Sequence, residues 1–170
     1  PLGRLQPSQI GFGDERHRYL QCGVDVKGGE LTVVTAHFKS PRSGLNAARR
    51  AGLDAMGEWQ KNYEDRVTQA RAIARDVSSF GRPLVVAGDL NAPESSPVIR
   101  TLLATGMRDA FSASGRGYGY TYGHTLSRGL AFLRIDHILV SHDIGISDCF
   151  AGQGQASDDR PVIADLQLRQ

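Results

Sequence analysis

A chain of 170 residues with 40% apolar and 22% charged side chains is long enough for one domain with a sizeable core and short for two. The net charge of +2 is too small to argue for a nucleic-acid partner, and no apolar run approaches the ~20 residues that span a bilayer. Cys22 and Cys149 are too few and too far apart for a disulfide framework or a metal-binding knuckle. These features favour a globular domain without such a framework, and they leave the compartment open.

The chain begins with a segment that shows no apolar period, residues 1–18, which we expect to be an irregular lead-in to a single domain over 19–170. From Leu20 to Val26 apolar residues alternate, and after a Gly-Gly turn the β-branched stretch LTVVTAHF follows. Two such runs around a short glycine turn are typical of a β-hairpin.

Two helices are predicted farther along the chain. From Tyr63 apolar residues recur with helical spacing, Arg66 lies off that apolar face, and Gly81 ends the pattern. The second helix begins after Ser96, a typical N-cap residue that a proline follows, and it ends at Gly106.

Four further stretches predict strands. LVVA is wholly apolar, which is typical of a buried strand. Near the end of the chain, LRIDHILVS and PVIADLQL predict two more strands. In GYGYTYG the tyrosines alternate. The simpler interpretation is that they pack on one face of a strand, and the alternative is that they stack on nucleic-acid bases. Together these elements favour a mixed α/β (α+β) sandwich with helices against largely antiparallel sheets.

Polar side chains stand at the ends of the predicted strands. His37 and Asp89 come where two strands end, whereas Asp136 and Asp158 come where two others begin. Taken singly, each is more simply a turn or packing residue. If the later strands run opposite to the earlier ones, all four residues lie on one rim. Several carboxylates on one rim need a cation to stay ionised, and a hard divalent ion suits both them and phosphate, so the rim suggests metal-assisted hydrolysis of a phosphate ester.

Six blocks of the sequence, in their order and at their spacings, resemble the second half of the endonuclease/exonuclease/phosphatase superfamily, which is also called DNase I-like. The blocks are TVVTAHFKS, RVTQA, VVAGDLNAP, MRDAF, LRIDHILVS and SDDRPVIADL. The resemblance spans Tyr19 to Leu168. It implies a DNase I-like sandwich shortened at its N-terminal side, and a divalent-metal-dependent phosphoesterase that acts on nucleic acid or on a small phosphate ester.

The resemblance also implies roles for individual residues. His37 matches a histidine that contacts the scissile phosphate, and Asp89 matches an acid that orients or deprotonates the attacking water. Asn91 matches an amide that holds phosphate, Asp136 an acid that orients a catalytic histidine, and Asp158 a metal-binding acid. The implied metal site combines Asp158 with Asp89 and Asn91 around Mg²⁺ (or Mn²⁺ or Ca²⁺), which we expect to be weakly held.

Two departures from the family pattern concern the chemistry itself. The family's last block reads Ser-Asp-His, whereas here Asp159 occupies the position of that catalytic histidine, and Asp136 loses the partner it would orient. In addition, no strand upstream of Leu20 is predicted that would supply the family's Asn and its principal metal-binding Glu, and no apolar stretch leads into Glu15. Because acid–base help is worth about 10²–10⁴-fold in rate, we expect an impaired enzyme.

Two hypotheses stay open at this point, and a third is weaker. The first is an impaired phosphoesterase, and the second is a non-catalytic module that binds a cation or a partner without turnover. The third treats Asp159 as an engineered substitution. A shortened sandwich would leave apolar surface and a strand edge uncovered, so we also expect self-association. The substrate does not follow from the sequence, because the fold does not determine it.

Overall fold

The computed structural model describes residues 5–6, 19–26, 29–41, 56–123, 132–153, 157 and 159–169. The strands in these ranges are β1 Leu5–Gln6, β2 Tyr19–Val26, β3 Gly29–Ala36, β4 Leu84–Asp89, β5 Arg108–Asp109, β6 Gly115–Arg116, β7 Asp136–Val140, β8 Ile144–Ala151 and β9 Val162–Leu168. The helices are α1 Met56–Val77, α2 Pro97–Leu103 and α3 Ala110–Ser114. None of the helices described is long and apolar enough to cross a membrane.

The strands form two sheets of mostly antiparallel pairs. The larger sheet has the order β1-β2-β3-β4-β7-β5, in which only β3 and β4 run parallel. The smaller sheet has the order β6-β8-β9, with β6 and β8 parallel. With α1 and α2 against the larger sheet, this is the mixed α+β architecture that the sequence predicted.

The central strand β4 shows how the layers are held together. Leu84 and Val86 pack in the core between the larger sheet and the helices, whereas Val85 and Ala87 pack in a second core against the smaller sheet. A strand buried on both faces needs the wholly apolar sequence that LVVA supplies. Partners on both sides therefore fix β4, and with it the residues at its carboxyl end.

Helix α2 follows its sequence signals closely. The Ser96 side chain accepts a hydrogen bond from the Ile99 N–H at 3.3 Å, and Pro97 occupies the first turn. The helix ends at Leu103, and Gly106 follows with a φ of +86°, a conformation that glycine adopts without strain. The predicted N-cap and stop are both confirmed.

Helix α1 differs from its prediction in extent and in its buried face. It begins at Met56, about two turns before Tyr63, and it ends at Val77. Arg66, which the apolar period placed off the packed face, is buried at 8% exposure. The reason is polar, because its guanidinium donates to the backbone carbonyl of Asn91, a partner that hydrophobic periodicity does not reveal.

Three strand predictions need comment. The hairpin β2–β3 is confirmed, but Leu5–Gln6, within the expected irregular lead-in, pairs with β2. GYGYTYG is not a strand, since Tyr118 and Tyr120 are irregular and Tyr122 makes only isolated bridges. Strand β8 was not predicted, because its glycine and its aspartate interrupt the alternation of apolar residues.

One face of the β2 end of the larger sheet is only partly covered by the residues described. Leu20 is 56% exposed on it, and Cys22 and Val24 are half-buried. Nearby, an open cavity of about 910 Å³ separates the ends of the two sheets, with Leu31 and Leu166 among its lining. This partly bare apolar surface is called the β2 face below.

Candidate active site

Strand direction brings the predicted polar residues to one edge of the larger sheet. The parallel strands β3 and β4 end at the same edge, where His37 follows β3 and Asp89 closes β4. The antiparallel strand β7 begins there with Asp136, which pairs directly with Asp89 in the register. The geometry predicted for these three residues is confirmed.

Next to this edge lies a cavity of about 380 Å³. Its lining is His37, Ser40, Pro41, Asp89, Asn91, Tyr122, Leu133, Ile135, Ser157 and Asp159. Asp159 reaches it from the segment that leads into β9, where it forms a β-bridge with Tyr122. The structure thus gathers His37, Asp89, Asn91 and Asp159 in one cavity, whereas Asp158 lies outside the residues described. This space is called the Asp89 cavity below.

Asp89 makes polar contacts with two other residues of the cavity. Its Oδ1 accepts a hydrogen bond from the Asn91 N–H at 2.8 Å, and its Oδ2 lies 3.4 Å from His37 Nε2. Burial, helped by the charges of Asp136 and Asp159, raises the pKa of Asp89 to about 6, against the lowering effects of the Asn91 bond and of His37. A carboxylate with this pKa is ionised at neutral pH and more basic than an ordinary one. His37 is 75% exposed and open to a ligand.

Asn91 adopts a left-handed backbone conformation, with a φ of 47°, which is uncommon outside glycine. Three contacts hold it there: its Nδ2 donates to the Phe38 carbonyl at 2.9 Å and to Asp89 Oδ2 at 3.2 Å, and its own carbonyl accepts from Arg66 Nη1 at 2.7 Å. Both amide hydrogens are thereby engaged within the protein. In this arrangement Asn91 orients Asp89, and its amide oxygen is the atom left for a ligand.

Helix α1 anchors the loops of the site through buried polar side chains. Gln69 accepts from the Lys39 N–H at 3.1 Å, Asn62 donates to the Ser40 carbonyl at 3.0 Å, and Arg66 holds Asn91. All three helical residues are at most 8% exposed. They support the site without lining it, and sequence reasoning missed them; the RVTQA block, which contains Arg66 and Gln69, was the available signal.

Asp136 is half-buried beside Asp89, and one of its oxygens is unsatisfied. Its Oδ2 is buried without a hydrogen-bond partner in the structure. Burial raises the pKa of Asp136, while a hydrogen bond from Thr121 lowers it in part. A buried carboxylate oxygen without a partner is costly unless a proton or a cation satisfies it.

The edge offers oxygen donors to a divalent cation. Among the residues described, no group of three or more His, Cys, Asp and Glu side chains is close enough to hold a metal. Two adjacent carboxylates are nevertheless present, and the unsatisfied Asp136 Oδ2 is a hard oxygen donor. Mg²⁺ is commonly held by one or two carboxylates and completes its shell with water and phosphate. The donor set therefore suits such an ion.

Behind the site, a buried ionic cluster fixes the start of β7. Asp109 bonds through both carboxylate oxygens to Arg134 Nη1 at 2.8 and 2.9 Å, and His137 Nδ1 lies 2.7 Å from Asp109 Oδ2. Burial opposes ionisation of Asp109, but the His137 bond and the Arg134 charge outweigh it and hold its pKa well below the usual range. Since Arg134 and His137 flank Asp136 in sequence, the cluster positions that acid. The MRDAF block marked Asp109, but its partners were not predicted.

Comparison with known proteins assigns the family. Residues 5–158 match the model of the Endonuclease/Exonuclease/phosphatase family. The chain therefore belongs to this family, as its sequence blocks suggested. Members of the family are generally dependent on divalent metals. A separate 56-residue match to Profilin-3 of Homo sapiens, 36% identical, covers 32% of this chain and 41% of that protein, and it shows no family.

Solved structures agree on the fold. An endonuclease/exonuclease/phosphatase from Beutenbergia cavernae is 21% identical with a TM-score of 0.75, over 99% of this chain and 45% of that one. An endonuclease/exonuclease/phosphatase from Bacteroides vulgatus is 24% identical with a TM-score of 0.68, over 90% of this chain and 56% of that one. The 3′ phosphatase NExo from Neisseria, bound to a product DNA hairpin, is 18% identical with a TM-score of 0.66, over 96% and 70%. The chain thus spans about half the length of the first two, and the likeness is one of fold.

Proposed function

We propose that this domain is a divalent-metal-dependent phosphoesterase whose activity Asp159 impairs. The observation that carries the proposal is the pairing of Asp89 and Asp136 at the edge of a cavity that His37 and Asn91 also reach. Membership of the family supports the proposal, and so does the presence of a phosphatase among the solved structures that resemble this chain. Substrates are phosphate esters, of nucleic acid or of small molecules.

In this proposal three residues of the cavity have distinct roles in hydrolysis of the ester. The exposed His37 imidazole donates a hydrogen bond to a phosphoryl oxygen, which fixes the phosphorus beside Asp89. Asp89, oriented by Asn91, accepts the proton of the attacking water. The leaving oxygen takes its proton from solvent or from an acid of the cavity.

Asp89 and Asp136, with the Asn91 amide oxygen, are the residues that would hold the cation, and Asp158 is expected to join them. A bound divalent ion would supply charge stabilisation for the phosphoryl oxygens and would satisfy the buried Asp136 oxygen. With few carboxylates available, we expect weak binding of Mg²⁺, Mn²⁺ or Ca²⁺.

Asp159 works against this chemistry. Its carboxylate lines the same cavity as Asp89 and lies close enough to repel that acid electrostatically. This second negative charge also repels the phosphoryl group, which a histidine at that position would attract. The same excess of acids favours the alternative, a module that binds a cation without turnover.

Replacing Asp159 with His is expected to raise phosphodiester hydrolysis by about ten-fold or more, because it removes a repelling charge and restores an acid–base group. The measurement is the rate of cleavage of plasmid DNA and of bis(p-nitrophenyl) phosphate in Mg²⁺ or Mn²⁺. Asp165→His is the matched control, since Asp165 is an exposed acid of β9 outside the cavity. If neither the native chain nor Asp159→His hydrolyses either substrate, the non-catalytic alternative stands.

Self-association is a further expectation, for which the β2 face is the proposed contact. Light scattering at working concentration should give a dimer, because Leu20 and its neighbours are otherwise exposed to water. Leu20→Lys should shift the population to monomer, whereas Met56→Lys, at an equally exposed apolar residue of α1, should not. A monomeric native chain would contradict the expectation.

A further inference from the structure

Arg66 of α1 is a buried cation without a countercharge among the residues described. The residue is 8% exposed, and its Nε is buried there without a hydrogen-bond partner. Burial lowers the pKa of Arg66, and the effect that opposes this comes from Tyr63 rather than from a carboxylate. Arginine is rarely this buried unless an acid pairs with it, because an unpaired buried charge is costly. The cost indicates that Arg66 does more than pack.

The guanidinium of Arg66 is bound to a strained residue. Its Nη1 donates to the backbone carbonyl of Asn91 at 2.7 Å, and a charged donor makes this bond stronger than a neutral one. Asn91 is the one residue other than glycine with a positive φ in the described part of the chain, at 47°. Such a conformation persists only where the surroundings hold it. A carbonyl points in different directions in the left-handed and the extended conformation, so a fixed donor at this carbonyl favours the left-handed one.

The conformation of Asn91 decides how it meets Asp89. The Asn91 N–H donates to Asp89 Oδ1 at 2.8 Å, and Asn91 Nδ2 donates to Asp89 Oδ2 at 3.2 Å. The N–H and the side chain stand on opposite sides of the φ bond, so rotation about that bond moves one away from the other. An extended Asn91 would therefore release at least one of the two oxygens. Through one backbone carbonyl, Arg66 thus controls the orientation of the Asp89 carboxylate.

Two other polar residues of α1 show that this link is specific to Arg66. Gln69 and Asn62 are at least as buried, at 2% and 3% exposure. They bond to the backbone of Lys39 and Ser40 in the loop after β3, where no residue described outside glycine has a positive φ. Their bonds hold a loop in place, whereas the bond of Arg66 selects a conformation beside the proposed base.

We propose that Arg66 is a positioning residue of the active site, which selects the left-handed conformation of Asn91 and thereby aims Asp89 at the attacking water. The role of Asp89 rests on the phosphoesterase function proposed above, whereas the selection of the Asn91 conformation does not. Arg66 is not among the residues that line the Asp89 cavity, so its effect is expected in turnover and not in substrate binding. Misplacing a reacting group by about 1 Å costs about 10²-fold in rate.

The test replaces Arg66 with Met, which has a similar length and neither a charge nor a donor. An apolar residue in place of a buried cation is compatible with folding. In NMR spectra of the full chain, the Asn91 Cα and N–H resonances should shift toward those of an extended residue whose N–H is not bonded. Gln69→Met is the matched control, because it removes one buried hydrogen bond of the same helix without touching Asn91. It should leave the Asn91 resonances at their native values.

Hydrolysis of bis(p-nitrophenyl) phosphate is the second measurement, made in the native chain and in the Asp159→His background, where the rate is expected to be higher. Arg66→Met should lower kcat by about 10²-fold and leave KM nearly unchanged.

Native Asn91 resonances in Arg66→Met would overturn the proposal. So would equal shifts in Arg66→Met and Gln69→Met, since these would report a general loosening of the loops. An unchanged kcat in Arg66→Met, despite shifted Asn91 resonances, would overturn it as well. If no chain hydrolyses the ester, the phosphoesterase proposal fails, and the Asn91 resonances then decide whether Arg66 selects this conformation. If Arg66→Met does not fold, Arg66→Gln, which is too short to reach Asn91, is read by the same criteria.

Discussion

Replacing Asp89 with Asn is expected to lower phosphoester hydrolysis by about 10²–10⁴-fold and, at the same time, to stabilise the fold at pH 7.5. The loss of rate follows because Asn cannot accept a proton from water, and general base catalysis is worth about that much. The gain in stability follows because Asp89 is a partly desolvated carboxylate beside two others, Asp136 and Asp159. Function and stability therefore oppose each other at this position.

The sign of the stability effect comes from the direction of the pKa shift. Folding raises the pKa of Asp89 from 3.8 to about 6, so the native state binds a proton more readily than the unfolded chain does. Its favourable contribution is full below pH ~4 and is lost as the pH rises through ~6. The whole shift corresponds to about 3 kcal/mol, so Asp89→Asn should gain about 1–3 kcal/mol in free energy of unfolding at pH 7.5.

The measurement is denaturant unfolding of both chains in a chelator from pH 5 to 8, together with the hydrolysis assay. The native chain should lose stability across this range relative to Asp89→Asn. Added Mg²⁺ should stabilise the native chain more than the variant, which reports cation binding without reference to activity. Asp25→Asn, at an exposed acid of β2, serves as the control. A variant that hydrolyses at the native rate would rule out Asp89 as the base.

Replacing Asp109 with Ala is expected to cost about 3–5 kcal/mol in free energy of unfolding at pH 7, because it leaves the buried Arg134 charge without its main partner. Arg134 is 9% exposed and His137 is 1% exposed, so water does not replace the lost carboxylate. Folding lowers the pKa of Asp109, so its contribution is present above the ordinary carboxyl pKa, near 4, and is lost in acid.

The measurement is chemical denaturation of Asp109→Ala and of the control Asp148→Ala. The comparison separates the effect of burying an ion pair from the effect of forming one. Asp148 also forms a two-point pair with an arginine, Arg116, but on the surface. Surface pairs are screened by water, so Asp148→Ala should change stability much less. Equal effects of the two substitutions would mean that the Asp109 cluster does not hold the start of β7 as we infer.

The sequence predicted the parts of the fold that depend on local pattern. The hairpin β2–β3, the buried strand β4 and the capped helix α2 each follow from alternation, apolar runs or an N-cap. Positions at the ends of those strands then predicted that His37, Asp89 and Asp136 would converge. Their roles in catalysis stay predictions, as does that of Asp158, which lies outside the residues described.

What the sequence did not predict depends on contacts between distant residues. Arg66 looks like a solvated arginine of a helix until Asn91 is placed 25 residues later beside it. The 83% exposure of Tyr118 has the same origin, since alternation in GYGYTYG suggested a strand whereas the positive φ of Gly119 turns the chain away. The packing interpretation of the alternating tyrosines is therefore wrong for Tyr118. The hydrophobic period of a sequence identifies the side chains that pack in an apolar core, but it does not identify buried polar partners.

The polar side of α1 has a consequence for how the site fluctuates. The loop after β3 and the loop after β4 are both tied to this helix, through Gln69 and Arg66, by hydrogen bonds to their backbones. Such shared bonds make a helix and its loops open as one cooperative unit. The local unfolding that frees these two loops is therefore set by the undocking of α1, and strands β3 and β4 can stay intact while it happens.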